Sequence, residues 1–155
     1  MIGVCDYRRQ VHASRTVVWK ALTKSDDWPK IAGLKDWFGR VEWFEGPPWR
    51  VGSRILIEHF WPSQADVRLV VSSFHPPEEF SWIGHGRGLT AHQQIRLEAD
   101  GKDSCLLIST MSFTASGQTA APSKPDPVAD RLLRTFLDAI AEHCEKPAAG
   151  VQKAG

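Results

Sequence analysis

No stretch of this sequence stays apolar for the roughly 18 residues that a membrane-spanning helix requires, so no integral membrane contact is expected. Charge of one sign is also missing. Lys and Arg number 19 against 18 Asp and Glu, a net charge of +1. A protein that holds a phosphate backbone needs a basic field to displace counterions, so nucleic acid is not an expected partner. Cysteine is scarce and odd in number: Cys5, Cys105 and Cys144, far apart in the chain. That is neither a disulfide framework nor a zinc pattern. Such thiols are expected to be reduced and buried, where free cysteine packs as a small hydrophobe. The first ten residues carry Asp6, Arg8 and Arg9 where a secretory signal would need an apolar run. A cytoplasmic location is therefore the expectation.

Catalytic signatures are missing too. The six histidines are His12, His59, His75, His85, His92 and His143, and none sits in an HExxH arrangement. His85 and His92 can approach each other across a hairpin, but no third ligand accompanies them. Neither a metal nor a cofactor is expected. The glycine-rich run Gly84 to Gly88 superficially suggests a phosphate loop. Such a loop needs a helix N-terminus after it to supply aligned N–H groups, and here a strand pattern follows. Asp26 and Asp27 are adjacent carboxylates, but a helix cap accounts for them. No Ser-His-Asp order, catalytic Cys-His pair or paired-carboxylate motif can be defended from spacing.

What is present is a chain of 155 residues, 42% hydrophobic and 24% charged, enough for one domain with one sizeable core. Residues 1–146 are expected to form that domain and 147–155 a disordered tail. All seven tryptophans, Trp19, Trp28, Trp37, Trp43, Trp49, Trp61 and Trp82, lie in the first 82 residues. Aromatic side chains bury large areas, so most of these belong to the core or its rim.

The pattern along the chain predicts a strand over 4–12, then a helix over 15–23 capped by Ser14. Asp26 or Asp27 is expected to cap a second short helix with Pro29 in its first turn, stopping at Gly33. Strand-like runs follow at 38–44, 51–61, 67–74, 79–85, 89–99 and 104–113, separated by Pro-, Gly- and Asp-rich turns. Val51, Ile55, Ile57, His59 and Trp61 share one parity. So do Gln93, Ile95 and Leu97. Residues 114–126 read as a loop, mobile by composition. Asp126 and Pro127 then open a helix over 127–146. Its apolar stripe is Ala129, Leu133, Phe136, Leu137, Ile140 and Cys144, with Arg131, Asp138, Glu142 and Glu145 mainly on the other side. The fold class is thus α+β: a curved antiparallel sheet whose apolar face is covered by the only long helix.

Several segments carry a family resemblance. They are Val11-His12-Ala13-Ser14 and Val18-Trp19-Lys20-Ala21-Leu22 in and before the first helix, then Trp28-Pro29. Val51-Gly52-Ser53-Arg54 opens a strand, and Pro76-Pro77-Glu78-Glu79-Phe80-Ser81-Trp82 joins a double-proline turn to an aromatic strand. Ile95-Arg96-Leu97 and a last strand ending in Phe113 complete the set. In order and spacing this resembles the START-like (SRPBCC, polyketide cyclase/dehydrase-type) helix-grip proteins over residues 7–145. The resemblance implies seven strands gripping the last helix, with a cavity between. It also implies a small hydrophobic or aromatic ligand, lipid or polyketide-like. The superfamily contains carriers and enzymes, so fold alone leaves function open.

The expected ligand-binding residues are His59, Trp61, Phe80, Trp82, Gln93, Ile95, Ser109, Met111, Phe113, Leu133 and Phe136. Gln93 on an apolar parity is costly to bury without a partner, which makes it the first candidate to orient a ligand. Its alternative role is a bond to the last helix or to water. His59 is either a cavity histidine or a satisfied structural one. An enzyme of cyclase, aromatase or dehydratase type would use His59 or Gln93 to polarise a carbonyl. A third reading, a chaperone-modulating module, rests on Trp37-Phe38-Gly39, which resembles a stretch in Hsp90-activator relatives.

Overall fold

A computed structural model describes residues 3–60, 65–86, 89–115 and 127–145. Strand β1 (Gly3–Val11) leads into helix α1 (Arg15–Thr23) and a 3-10 helix (Ser25–Lys30). Six strands follow: β2 (Val41–Glu45), β3 (Arg54–Phe60), β4 (Ala65–His75), β5 (Glu79–Gly86), β6 (Leu89–Ala99) and β7 (Cys105–Ala115). Helix α2 (Pro127–Glu145) ends the described chain. The strands form one antiparallel sheet in the order β1-β7-β6-β5-β4-β3-β2. Strands β2 to β7 run as a meander of neighbours, and β1 closes on the far side of β7.

The helix starts where its capping residue predicts. Ser14 is extended and its hydroxyl oxygen accepts from the Val17 N–H at 3.2 Å, satisfying one free donor of the first turn. Val18, Trp19 and Leu22 turn inward from α1. The second short helix departs from expectation at its start. Lys24 occupies the capping position and no side chain caps it. Asp27 lies within the helix instead, its carboxylate bridging Lys24 at 3.1 Å and Lys30 at 3.6 Å.

Two strands start later than the sequence pattern implies. Residues 32–37 turn, and this folds Trp37 and Phe38 inward before β2 begins at Val41. Gly52 takes a φ of +92°, a left-handed turn that breaks the alternation before β3. Val51 is therefore 61% exposed and does not share the buried face of Ile55 and Ile57.

Helix α2 packs through Leu133, Leu137 and Ile140, all at most 2% exposed. Asp138 and Glu145, which the sequence places mainly opposite the apolar stripe, are only partly exposed. The two lie seven residues apart on the edge of the apolar stripe, and both reach β1. Arg9 donates to Asp138 at 2.9 Å and to Glu145 at 3.0 Å, and the Tyr7 hydroxyl donates to Asp138. Glu145 also accepts from the His12 backbone N–H at 2.9 Å. These links fix α2 against the edge strand. Among the described residues, no helix is long and apolar enough to cross a membrane.

Candidate functional site

The register of the sheet arranges the inward side chains in rows. One row runs Val71, Trp82, Gln93, Met111 across β4, β5, β6 and β7. A second runs Phe74, Phe80, Ile95, Ser109, Tyr7 from β4 to β1. A third runs Leu69, Gly84, Ala91, Phe113. In the third row a Cβ at Gly84 would stand 2.7 Å from the end of the Leu69 side chain, which would have to shift to admit it. The sheet thus brings Phe80, Trp82, Gln93, Ile95, Ser109, Met111 and Phe113 onto one face, as their strand parities predict. Leu133 is buried in the core, and Phe136 packs against it partly exposed.

Two expected members, Trp61 and the side chain of His59, are not among what is described. The backbone of His59 belongs to β3. The β3–β4 register shifts between Ile57 and Phe60.

Gln93 is 8% exposed and fully engaged with neighbours. Its side-chain oxygen accepts from the indole N–H of Trp82 at 2.8 Å, and its amide donates to Ser109 Oγ at 3.3 Å. The partners in the structure are two side chains of the same face, not the last helix. The burial of a polar amide is offset by these bonds.

Sequence reasoning missed the residues that fill the opposite side. Trp28, from the 3-10 helix, is 1% exposed. Its ring meets Trp82 at 5.9 Å and Phe136 at 5.4 Å, both edge-on, and Phe38 at 6.1 Å. Trp49 comes from the β2–β3 loop. It stacks on Trp82 at 5.5 Å and Phe74 at 5.9 Å and meets Phe80 at 4.6 Å. The Trp49 backbone has a φ of +60°, the left-handed region, which costs an ordinary residue about 1–3 kcal/mol. The ring contacts offset that cost. Phe38 is buried and touches Phe136, so in this fold it serves the core rather than an outer surface. The concentration of tryptophan in the first 82 residues was the signal available for Trp49, and Trp28 also stood in the Trp28-Pro29 segment.

Three indole donors in this cluster are paired with protein acceptors. Trp43 donates to Ser25 Oγ at 3.1 Å, Trp49 to the Thr23 carbonyl and Trp82 to Gln93. The Nε1 of Trp28 is buried with no partner among the described residues.

Burial differs between the two ends of the inward face. Toward Leu97, Leu107, Leu137 and Ile140 it is closed, with each side chain at most 1% exposed. Toward Met111, Phe113 and Phe136 the apolar side chains are only partly buried. Among the described residues, no group of three His, Cys, Asp or Glu side chains is placed to hold a metal ion.

Comparison with solved structures follows this geometry. Norcoclaurine synthase from Thalictrum flavum, in complex with dopamine and hydroxybenzaldehyde, matches with a TM-score of 0.65 at 17% identity, covering 90% of this chain and 84% of that one. A major latex-like protein from Panax ginseng gives 0.73 at 12%, covering 93% and 98%. A START superfamily protein from Mycobacterium smegmatis gives 0.62 at 14%, covering 92% and 94%. This chain has the START-like helix-grip fold. Seven antiparallel strands and a C-terminal helix are the helix-grip elements that the order of motifs implied. Neither a protein-family model nor a curated protein matches the sequence.

Proposed function

We infer that this protein binds a small, ring-bearing apolar molecule between α2 and the inward face of the sheet. The observation that carries this is the unequal burial of one face. Met111, Phe113 and Phe136 face inward yet remain partly exposed, while the same face is sealed at its other end. Exposed apolar surface grouped in a concave site is the usual character of a small-molecule pocket. Met111 is adaptable in shape, and Trp82 and Phe136 offer ring faces to an aromatic guest. His59 and Trp61 are assigned to the same site by strand parity, and Leu133 by its place on α2. The norcoclaurine synthase neighbour holds two aromatic molecules, which supports a ring-bearing ligand for this fold.

Binding is favoured over catalysis by the chemistry of the inward polar groups. Among the described residues beside these rings, they are Gln93, Ser109 and the indoles of Trp28 and Trp82. None of these titrates near neutral pH, which leaves His59 as the one assigned member with acid–base chemistry there. Titration of tryptophan fluorescence with fatty acids, flavonoids and aromatic polyketides tests the reading. Saturable quenching by ring compounds, weakened in Gln93→Ala without loss of fold, is the expected result. Absence of saturable binding across the panel would overturn it.

A further inference from the structure

We propose that the indole N–H of Trp28 is the polar anchor of the internal site, and that the ligand is a neutral ring compound bearing a carbonyl or ether oxygen. This rests on the reading of an internal site given above. The Nε1 of Trp28 is buried without a partner among the described residues, whereas the neighbouring indoles of Trp43, Trp49 and Trp82 each donate a hydrogen bond. Protein interiors pair nearly all such donors, and an orphaned one marks a place where something else supplies the acceptor. Indole N–H is a donor only, and a lone-pair acceptor would satisfy it better than the ring faces around it.

The surroundings narrow the chemistry. Phe38, Trp49, Trp82 and Phe136 surround the Trp28 ring at centroid distances of 5.4 to 6.3 Å, and none carries charge. A carboxylate placed there would lose its hydration with no counter-charge from these rings. A ketone, ester or ether oxygen gives up one bond to water and regains one from the indole. Phe136 is the partly buried member of this group, so the anchor lies beside the less sealed end of the site. The rest of the guest would lie against the rings. Hydrocarbon chains ending in an ionised acid satisfy neither requirement.

A matched pair of probes tests the anchor: 1-tetralone and tetralin, which differ by the carbonyl oxygen. Dissociation constants for both are measured by calorimetry on the wild type and on Trp28→Phe, which keeps a ring and removes the donor. A bond to an otherwise unpaired buried donor predicts that the ketone-to-hydrocarbon affinity ratio falls about tenfold in Trp28→Phe. In wild-type protein labelled with 15N in its indoles, the Trp28 N–H resonance is expected to move downfield with 1-tetralone and little with tetralin. That second readout stands even if Trp28→Phe folds poorly. If both probes bind but the ratio is unchanged and the resonance does not move, the anchor is wrong while the internal site stands. If neither probe binds, both readings fail.

Discussion

Trp82 donates its indole N–H to the side-chain oxygen of Gln93 over 2.8 Å, one inward side chain holding its neighbour across β5 and β6. Ser109 continues the chain on β7. A glutamine that the sequence marks as a ligand-orienting group is therefore also a structural tie. Its two bonds hold the ring of Trp82 in place for whatever packs on it.

Gln93→Leu should destabilise the protein by about 1–3 kcal/mol, because the Trp82 donor is left buried and unpaired. Ser109→Ala should cost less, since its bond to Gln93 is the longer at 3.3 Å. Urea titrations of the two variants check the order. Equal stability of Gln93→Leu and wild type would show that the bond to Trp82 contributes nothing.

On α2, Leu137 is fully buried and Phe136 only partly. Leu137→Ala should therefore cost about 2–5 kcal/mol through the cavity it leaves. Phe136→Ala should cost less than that and tighten binding of larger ring compounds, since it widens the site. Denaturant midpoints and binding titrations on both variants decide this. A greater loss of stability in Phe136→Ala would place that ring in the sealed core instead.

Trp49 holds a left-handed backbone so that its ring can stack on Trp82 and Phe74. Trp49→Ala should destabilise the protein by about 3–5 kcal/mol, the usual cost of emptying a large buried aromatic site. Near-ultraviolet circular dichroism should weaken, because the coupled indoles lose a member. A loss under about 0.5 kcal/mol would mean that the loop can swing away freely.

Burial pushes the Cys144 thiol from 9.0 up to about 11, with lesser contributions from Cys105 and Glu145. A thiol that holds its proton more tightly in the fold than in the unfolded chain stabilises the fold fully below pH 9. That stabilisation is lost as pH rises from about 9 through about 11. The difference in unfolding free energy between wild type and Cys144→Ala should therefore shrink over this window. Iodoacetamide should label Cys144 slowly at pH 8, since the reactive thiolate is rare there. Rapid labelling of the native protein would contradict the assignment.

The fold was legible because its signals are local and repeated. Ser14 caps α1, strand parity places Trp82, Gln93 and Met111 on one face, and the stripe of α2 names Leu133, Leu137 and Ile140. The interior partners were not, because they arrive from segments without period. Trp28 sits on a 3-10 helix and Trp49 in a loop, so neither has a parity to read. Asp138 and Glu145 look solvent-facing by helical position. Only the register of β1 brings Arg9 and Tyr7 beneath them. Gln93 illustrates the limit within a site: the sequence locates the polar group but not which neighbours satisfy it.

Only two methionines occur in the chain, Met1 and Met111, so a protein labelled with 13C at its methionine methyls gives two signals. This makes Met111 a direct reporter of the inward face between Gln93 and the partly buried rings. Titration with 1-tetralone should move the Met111 methyl upfield by ring current and saturate together with the fluorescence quenching, while Met1 stays in place. Saturable binding that leaves the Met111 signal unmoved would put the ligand elsewhere and contradict the internal site.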